Sequence, residues 1–560
     1  MKLNYFRFIR REAGHMTIKI SAFAMMAGLL QGLVMVIING AAEKFPERGL
    51  NLRYLLMFII CITGFIMTKR YSLSMTADLM QHIVFSIRLR FLDKIRKTGL
   101  LAFEGMGKSQ IYTVLAENTE TIFDASRLIS NAGSSAVMLI FSFLYIGHLS
   151  VTAFFLSVVI ICGGVSIYLV NQKSTSADLA ECLKKENEFF DSVNHLLDGF
   201  KEIKMNTAKS RDLYEGHIQR ISSETRDINI RTEYRFIDNY IFAQAFFYIL
   251  LATIIFLLPQ ITDLAYGIII NITAVALFMV GPLGNIVEAL PLISRADVAI
   301  TNIETLEKKL DEALDVHAGA AGDRPQPING FSSVHLENIA FSYLDPDRNQ
   351  VFSLGPIDLN IQAGEVVFIV GGNGSGKSTL LKILAGLYYP HSGRILLNDR
   401  VLESSHYVDY RNLFSIIFTD FHLFDRLYGL DRIDPDIVWE LLDTMELSEK
   451  TGFSYDRFTH INLSTGQRKR LALIAAYLEN KPILLFDEVA ADQDPKFRKY
   501  FYEVMLQDVK RRGKTVIAVT HDDRFFHTAD RVLKMEYGRI VSTDDASTHP
   551  AADTSTDKVK

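Results

Sequence analysis

Six runs of mostly apolar residues occupy the first 290 or so positions of this 560-residue chain. Each is close to the roughly 20 residues that an α-helix needs to cross the hydrocarbon of a bilayer. They extend from Ile18 to Asn39, Leu55 to Ser72, Ile129 to His148, Val151 to Val170, Ile237 to Leu258 and Tyr266 to Ile286. In lipid a segment of this kind must satisfy its own backbone hydrogen bonds, which makes each run a helix. The links after the third and fifth runs are short and contain neither Lys nor Arg. The segments after the second run (Met75 to Arg127) and after the fourth (Asn171 to Arg235) are long and rich in both. The positive-inside bias therefore places the long loops and both termini in the cytoplasm, although the basic residues of AAEKFPERGLNLR, after the first run, go against it. The basic N-terminus MKLNYFRFIRREAGHMTIKI resembles a signal peptide. The run it precedes is long enough to span, is followed by five more and has no small-residue cleavage site, so it reads as a retained anchor.

The long loops are too regular and too charged for linkers and read as helices continuing into the cytoplasm, where they need a docking partner. The turns near Phe103 to Ile111 and Gly199 to Lys209 are the candidate contact points. Within the second, Ile203 and Met205 are apolar residues in a charged stretch, suited to inserting into a partner domain or to a local helix contact. A chain that is 49% hydrophobic yet 22% charged is built of two materials. Its net charge of -5 is spread along the length with no basic stripe, which argues against a nucleic-acid partner. The three cysteines, Cys61, Cys162 and Cys182, have no CxxC spacing or histidine pairing, so neither a disulfide framework nor a zinc site is indicated.

The expected domains are a helical transmembrane domain over 1–315, a Gly/Ala/Pro-rich linker over 316–331, an α/β domain with a largely parallel sheet over 332–541, and a polar, disordered tail over 542–560. In the α/β part, VVFIVGGNGSGKSTLLKIL is an apolar strand, a GxxxxGKS turn and a helix, the context a phosphate-binding loop requires. The expected nucleotide-binding set is Gly371, Gly372, Asn373, Gly374, Ser375, Gly376, Lys377, Ser378 and Thr379. Glycines let successive N–H groups turn toward an anion, and the helix N-terminus adds its dipole. Lys377 reaches the β- and γ-phosphates of ATP, and Ser378 offers a hydroxyl to Mg2+. About a hundred residues on, KPILLFDE is a buried strand that delivers two acids to the sheet's C-terminal edge, beside that loop. Asp487 suits the Mg2+ shell and Glu488 suits the attacking water.

LSTGQRKRLALI places Ser464, Thr465, Gly466 and Gln467 at the start of a helix, presenting donors to an anion. With this motif the chain resembles the ABC transporter superfamily, whose signature is usually LSGGQ; Thr465 departs from it. The resemblance implies that one subunit's signature closes over ATP held by the other's P-loop, and so implies a dimer. It further implies that His521, in TVIAVTHDD, contacts the γ-phosphate, that Tyr343, in IAFSY, stacks on adenine, and that Asp494, in AADQDP, is the D-loop aspartate, although the family usually reads SALD there. Where the family has a glutamine, SIIFTDFHLFD has Thr419, so the metal and coupling role falls to Thr419, to Asp420 or to water.

Six spans ahead of the ATPase domain resemble exporter-type half-transporters over essentially the whole chain. FTDFHLFD together with LSTGQRKRLAL looks like the bacterial cyclic-peptide exporters, which handle lipopeptides, siderophore precursors and lasso-type peptides. The expectation is an ATP-driven homodimeric exporter in the bacterial inner membrane, moving a small peptide or siderophore-like cargo. A lipid flippase or multidrug exporter shares every motif, and an ATP-gated channel or sensor could share the architecture. Gln31, Asn39, Asn239, Gln244 and Asn271 are polar residues in apolar spans that could face cargo or pack helices together.

Overall fold

A computed structural model of the chain describes residues 4–48, 52–106, 108–314, 330–343, 352–430 and 432–545. The expected linker up to residue 329 and the expected tail beyond residue 545 lie outside the described residues. The chain divides into two units, one of Met1–Arg96 with Met106–Glu312, the other of Lys97–Gly105 with Ala313–Lys560.

The first unit is helical. Met16–Lys44, Leu52–Arg96, Gln110–Leu149, Thr207–Ile261 and Tyr266–Glu312 are each long and apolar enough to cross a membrane. The expected fourth span is the apolar start, Val151–Ile167, of a helix that runs to Asp198. At 1.5 Å per residue those 48 residues measure about 70 Å, more than twice the hydrocarbon thickness. The sequence changes from apolar to charged near Asn171 with no proline or glycine to interrupt the helix, so it simply continues. The amphipathic first helix, Asn4–Ala13, is held by Tyr5 and Phe8, buried among Ile87, Phe91, Ile303 and Leu306. The Tyr5 N–H donates to Asp297 Oδ1 at 2.8 Å, and its hydroxyl pairs with Ser126 Oγ at 2.7 Å.

The second unit is built on a six-stranded sheet in the spatial order Arg539–Asp545, Arg531–Glu536, Val366–Gly371, Thr515–Val519, Ile483–Asp487, Phe414–Ile417. All neighbours are parallel except the first pair. Ile483–Asp487 and Thr515–Val519 are buried throughout, as strands covered on both faces must be. Alternation divides them between two cores: Phe368, Phe486 and Leu471 pack on one face, Ile369, Leu485 and Leu381 on the other. A four-stranded antiparallel sheet, led by Ser333–Ser342 and Ser353–Gln362, contributes Leu336 and Ile357 to the second core. Pairing of Arg531 with Asp545 carries the final strand past 541, the position where the sequence pattern ended this domain.

Residues 97–105 complete this unit from far upstream. Thr98 bridges to Leu314, the Gly99 N–H donates to the Ala313 carbonyl at 3.1 Å, and Leu100, opening the short helix Leu100–Glu104, packs against the second core. The Glu104 carboxylate accepts from Lys382 Nζ at 2.8 Å and from the Tyr388 hydroxyl. Of the turn expected near Phe103 to Ile111, the first three residues thus belong to the second unit and those from Met106 on to the first, helical one.

Candidate functional site

The strand Val366–Gly371 feeds directly into a loop and then the helix Lys377–Leu384. Two glycines make that path possible. Gly371 has φ +152°, and a Cβ there would lie 2.2 Å from the Met535 carbonyl oxygen; Gly376 has φ +101°, and its Cβ would lie 2.9 Å from Leu354 Cδ1. Lys377 is buried and its ammonium lies over the loop, donating to the carbonyls of Gly371 at 3.0 Å and Gly372 at 3.1 Å. The buried Ser375 hydroxyl has no hydrogen-bond partner among the described residues, an unmet donor that a phosphate oxygen would satisfy.

Ser378 Oγ donates to Asp487 Oδ2 at 2.8 Å, which joins the two expected Mg2+ ligands across the helix start and the strand end. Burial pushes the Asp487 carboxyl above the usual carboxylate range, with the Ser378 hydrogen bond opposing it. One hydroxyl and one carboxylate, beside a phosphate cradle, is a donor set that suits Mg2+, which is held by one or two carboxylates together with phosphates. Thr419 Oγ1 donates to the Asp487 backbone carbonyl at 3.3 Å; Thr419 and its neighbour Asp420 are both exposed.

Glu488 follows with φ +54°, a left-handed conformation that costs a residue with a side chain roughly 1–2 kcal/mol. Such strain gathers at working sites. Its Oε1 lies 3.1 Å from His521 Nε2, and His521 itself follows the neighbouring strand Thr515–Val519. Asp487, Glu488, His521, Lys377 and Ser378 therefore sit at one sheet edge, as their sequence positions implied. Tyr343 is half-buried, set edge-on against Phe341 and Tyr388, and its hydroxyl is 3.4 Å from Thr379 Oγ1.

Ser464 caps the helix Thr465–Leu478 and forms a capping box with Gln467, at an exposed helix end. No hydrogen bond among the described residues joins Ser464–Gln467 to the P-loop. They connect instead to the segment after Glu488: Gln493 Nε2 donates to the Gly466 carbonyl at 2.9 Å, and a Cβ on Gly466 would lie 2.9 Å from the Asp492 carbonyl. Arg470 donates to Gln493 Oε1 at 2.9 Å and pairs with Glu446 and Asp494. The Phe497 N–H, and then Arg470, hold the Asp494 carboxyl below the usual range.

Lys469 is a residue the motif reading passed over. Its side chain is 3% exposed, and its Nζ lies 2.6 Å from Asp492 Oδ2 and 2.9 Å from the Glu488 carbonyl. A lysine flanked by two arginines on a helix reads as solvated, and only the fold shows this one turned inward.

Among the five polar candidates in the spans, Asn39, Asn239 and Asn271 are buried. Asn39 Nδ2 donates to the Asn271 carbonyl at 3.2 Å, and Asn271 Nδ2 donates to Glu43 at 3.3 Å, so this pair ties helices together. Gln244 lines a small cavity with Tyr240, Phe247 and Tyr248.

Residues 354–491 match the ABC transporter family. Over 531 residues the chain is 31% identical to the ATP-binding protein SyrD of Pseudomonas syringae pv. syringae, covering 93% of both. Over 224 residues, 38% of this chain and 78% of the relative, it is 34% identical to the energy-coupling factor transporter ATP-binding protein EcfA1 of Mycoplasmoides gallisepticum. The solved structure of a bacterial Atm1-family ABC exporter with ATP bound superposes over 97% of both chains, with a TM-score of 0.77 at 17% identity, a likeness of fold.

Proposed function

The chain belongs to the ABC transporter family, and we propose that it is the subunit of a homodimeric exporter that moves a peptide-like or siderophore-like molecule out of the bacterial cytoplasm. ATP hydrolysis coupled to transport follows from the family, and the apolar helices make the chain a multi-pass membrane protein. The observation that carries the dimer is the placement of the signature. One P-loop and one signature occur per chain, yet Ser464–Gln467 cap an exposed helix end with no hydrogen bond to their own P-loop among the described residues. A second copy facing the first completes two ATP sites.

In each site Lys377, the loop N–H groups and the Ser375 hydroxyl hold the β- and γ-phosphates. Ser378 and Asp487, with Thr419 behind them, would hold Mg2+, which when bound would neutralise phosphate charge. Thr419 is favoured over Asp420 because its hydroxyl already reaches Asp487. Glu488 accepts a hydrogen bond from the attacking water, His521 steadies that carboxylate and faces the γ-phosphate, and Tyr343 takes the adenine. Asp494 helps place the signature through Arg470. Closure of two ATP-loaded domains pulls on the cytoplasmic loops and shifts the spans from inward-open to outward-open. The exporter reading draws on the near full-length similarity to SyrD, and the cargo class draws on FTDFHLFD and LSTGQRKRLAL. Both termini are then cytoplasmic, in the inner membrane.

The test is ATPase stimulation of the purified dimer in lipid vesicles by a panel of cyclic peptides, lipopeptides, siderophores and lipids, followed by transport of any stimulator. Stimulation and transport of a peptide or siderophore supports the reading. Stimulation by lipids alone makes the protein a flippase and overturns it.

A further inference from the structure

Lys469 holds a position that packing alone does not explain. A buried ammonium is costly unless it is paired and hydrogen-bonded, and the Glu488 carbonyl it meets already accepts from the Ala491 N–H at 3.3 Å, so the need for a donor alone does not call for a cation. Here the cation joins three elements. It rides on the helix that begins at the signature, Thr465–Leu478; it ion-pairs with Asp492 Oδ2 at 2.6 Å; and it donates to the main-chain carbonyl of Glu488 at 2.9 Å. Glu488 is in the left-handed region, φ +54°, and its own N–H donates to the Val519 carbonyl at 3.3 Å. The peptide units on either side of its Cα are thus each held, one through the N–H and the other through the carbonyl, and the direction of its carboxylate follows from them. The same helix start is pressed against the Asp492 carbonyl at Gly466 and bonded to Gln493, so a displacement of the signature carries both Asp492 and Nζ with it.

We propose that Lys469 is a positioning residue for ATP hydrolysis, holding the Glu488 peptide so that the carboxylate meets the attacking water, and making that pose depend on the position of its own signature helix. The signature closes over ATP bound to the partner subunit, so the lysine links nucleotide at one site to the catalytic carboxylate of the other. This rests on the roles given above to Glu488 and the signature.

Three variants of the full-length dimer test it: Lys469→Met, Lys469→Met with Asp492→Leu, and Glu488→Gln as the reference. Turnover, ATP dissociation constant and melting midpoint are measured for each. Lys469→Met is expected to lower kcat on the order of 10- to 100-fold, the scale of a displaced catalytic group, with the ATP dissociation constant within about threefold of the parent. The Asp492 carboxylate, half exposed, keeps its contact with water, so Lys469→Met leaves no buried charge behind. The double variant removes both charges and is expected to leave turnover as low as in Lys469→Met. Turnover restored in the double variant, or unchanged in Lys469→Met, overturns the proposal, since the lysine then only neutralises Asp492. If Glu488→Gln keeps its turnover, the reading of Glu488 beneath the proposal fails instead, whatever the lysine variants do.

Discussion

Replacing Glu488 with Gln isolates the chemistry of one carboxylate. The two side chains have nearly the same volume, and the φ of +54° at this position disfavours both alike, so the backbone energy hardly changes. Gln can still meet His521 Nε2, which lies 3.1 Å from the carboxylate. What disappears is the negative charge and its strength as an acceptor for the water proton. General-base action is worth roughly 100- to 10,000-fold, which is about 2.7–5.4 kcal/mol of barrier at 1.36 kcal/mol per tenfold. ATP binding should be nearly unchanged, because Lys377, the loop and the Ser378–Asp487 pair are untouched. The expected variant therefore binds ATP, accumulates in the closed dimer and turns over at least 100-fold more slowly. Phosphate release at saturating ATP, with equilibrium nucleotide binding on the same preparation, measures both quantities. Turnover above about a tenth of the parent, in folded protein that binds ATP, would refute the assignment of Glu488.

Lys377→Ala should act on affinity, because its charge faces the phosphates in the ground state as well as in the transition state; an unchanged ATP dissociation constant contradicts the cradle. Asp487→Asn separates stability from function. The raised carboxyl pKa means that the folded state holds this proton more tightly than the unfolded chain does. Ionised Asp487 therefore costs stability above its raised folded pKa, and the cost fades as pH falls toward the unfolded value near about 3.9. The variant should melt higher than the parent at neutral pH, converge with it in acid and lose Mg2+-dependent turnover; a lower neutral midpoint counts against burial as the dominant cause. Ile203→Asp with Met205→Asp should leave basal ATPase activity while abolishing cargo stimulation and vesicle transport. Met205 is 88% exposed and Phe200 is exposed beside it, apolar surface fit for docking on a partner. Unaffected transport at equal expression rejects that docking.

Much of this was legible from residues alone because the site is assembled from strand ends. A buried strand places its last residue at the sheet edge wherever it lies in the sheet, so Gly371 and Asp487 could be set together without knowing the strand order, whereas His521 came from the family resemblance. The spans were legible for a similar reason, since lipid leaves a helix as the only option for an apolar run of that length. What the pattern could not reveal depended on pairings between distant side chains. Lys469 turns inward only because Asp492 and the Glu488 carbonyl are there to receive it. Thr419 and Asp420 are adjacent and both polar, and only the path of the chain after Phe414–Ile417 aims the threonine at Asp487. The last strand runs beyond 541 because its antiparallel partner begins at Arg531, which pairs with Asp545, and polar composition there resembled a tail.

The upstream segment 97–105 sets an order of events during synthesis. The ribosome delivers Leu100 and Glu104 nearly three hundred residues before Tyr388 and Lys382, the groups that receive them. At roughly 5–20 residues per second, that interval is on the order of 15–60 s. Through it, the first helices are already entering the membrane while this short stretch waits with an apolar residue uncovered. The nucleotide-binding body is therefore completed by a segment made long before the rest of it. An ATPase fragment begun at Ala313 would be released without the Leu100 contact, so its soluble yield should improve when residues 97–105 are supplied as a peptide.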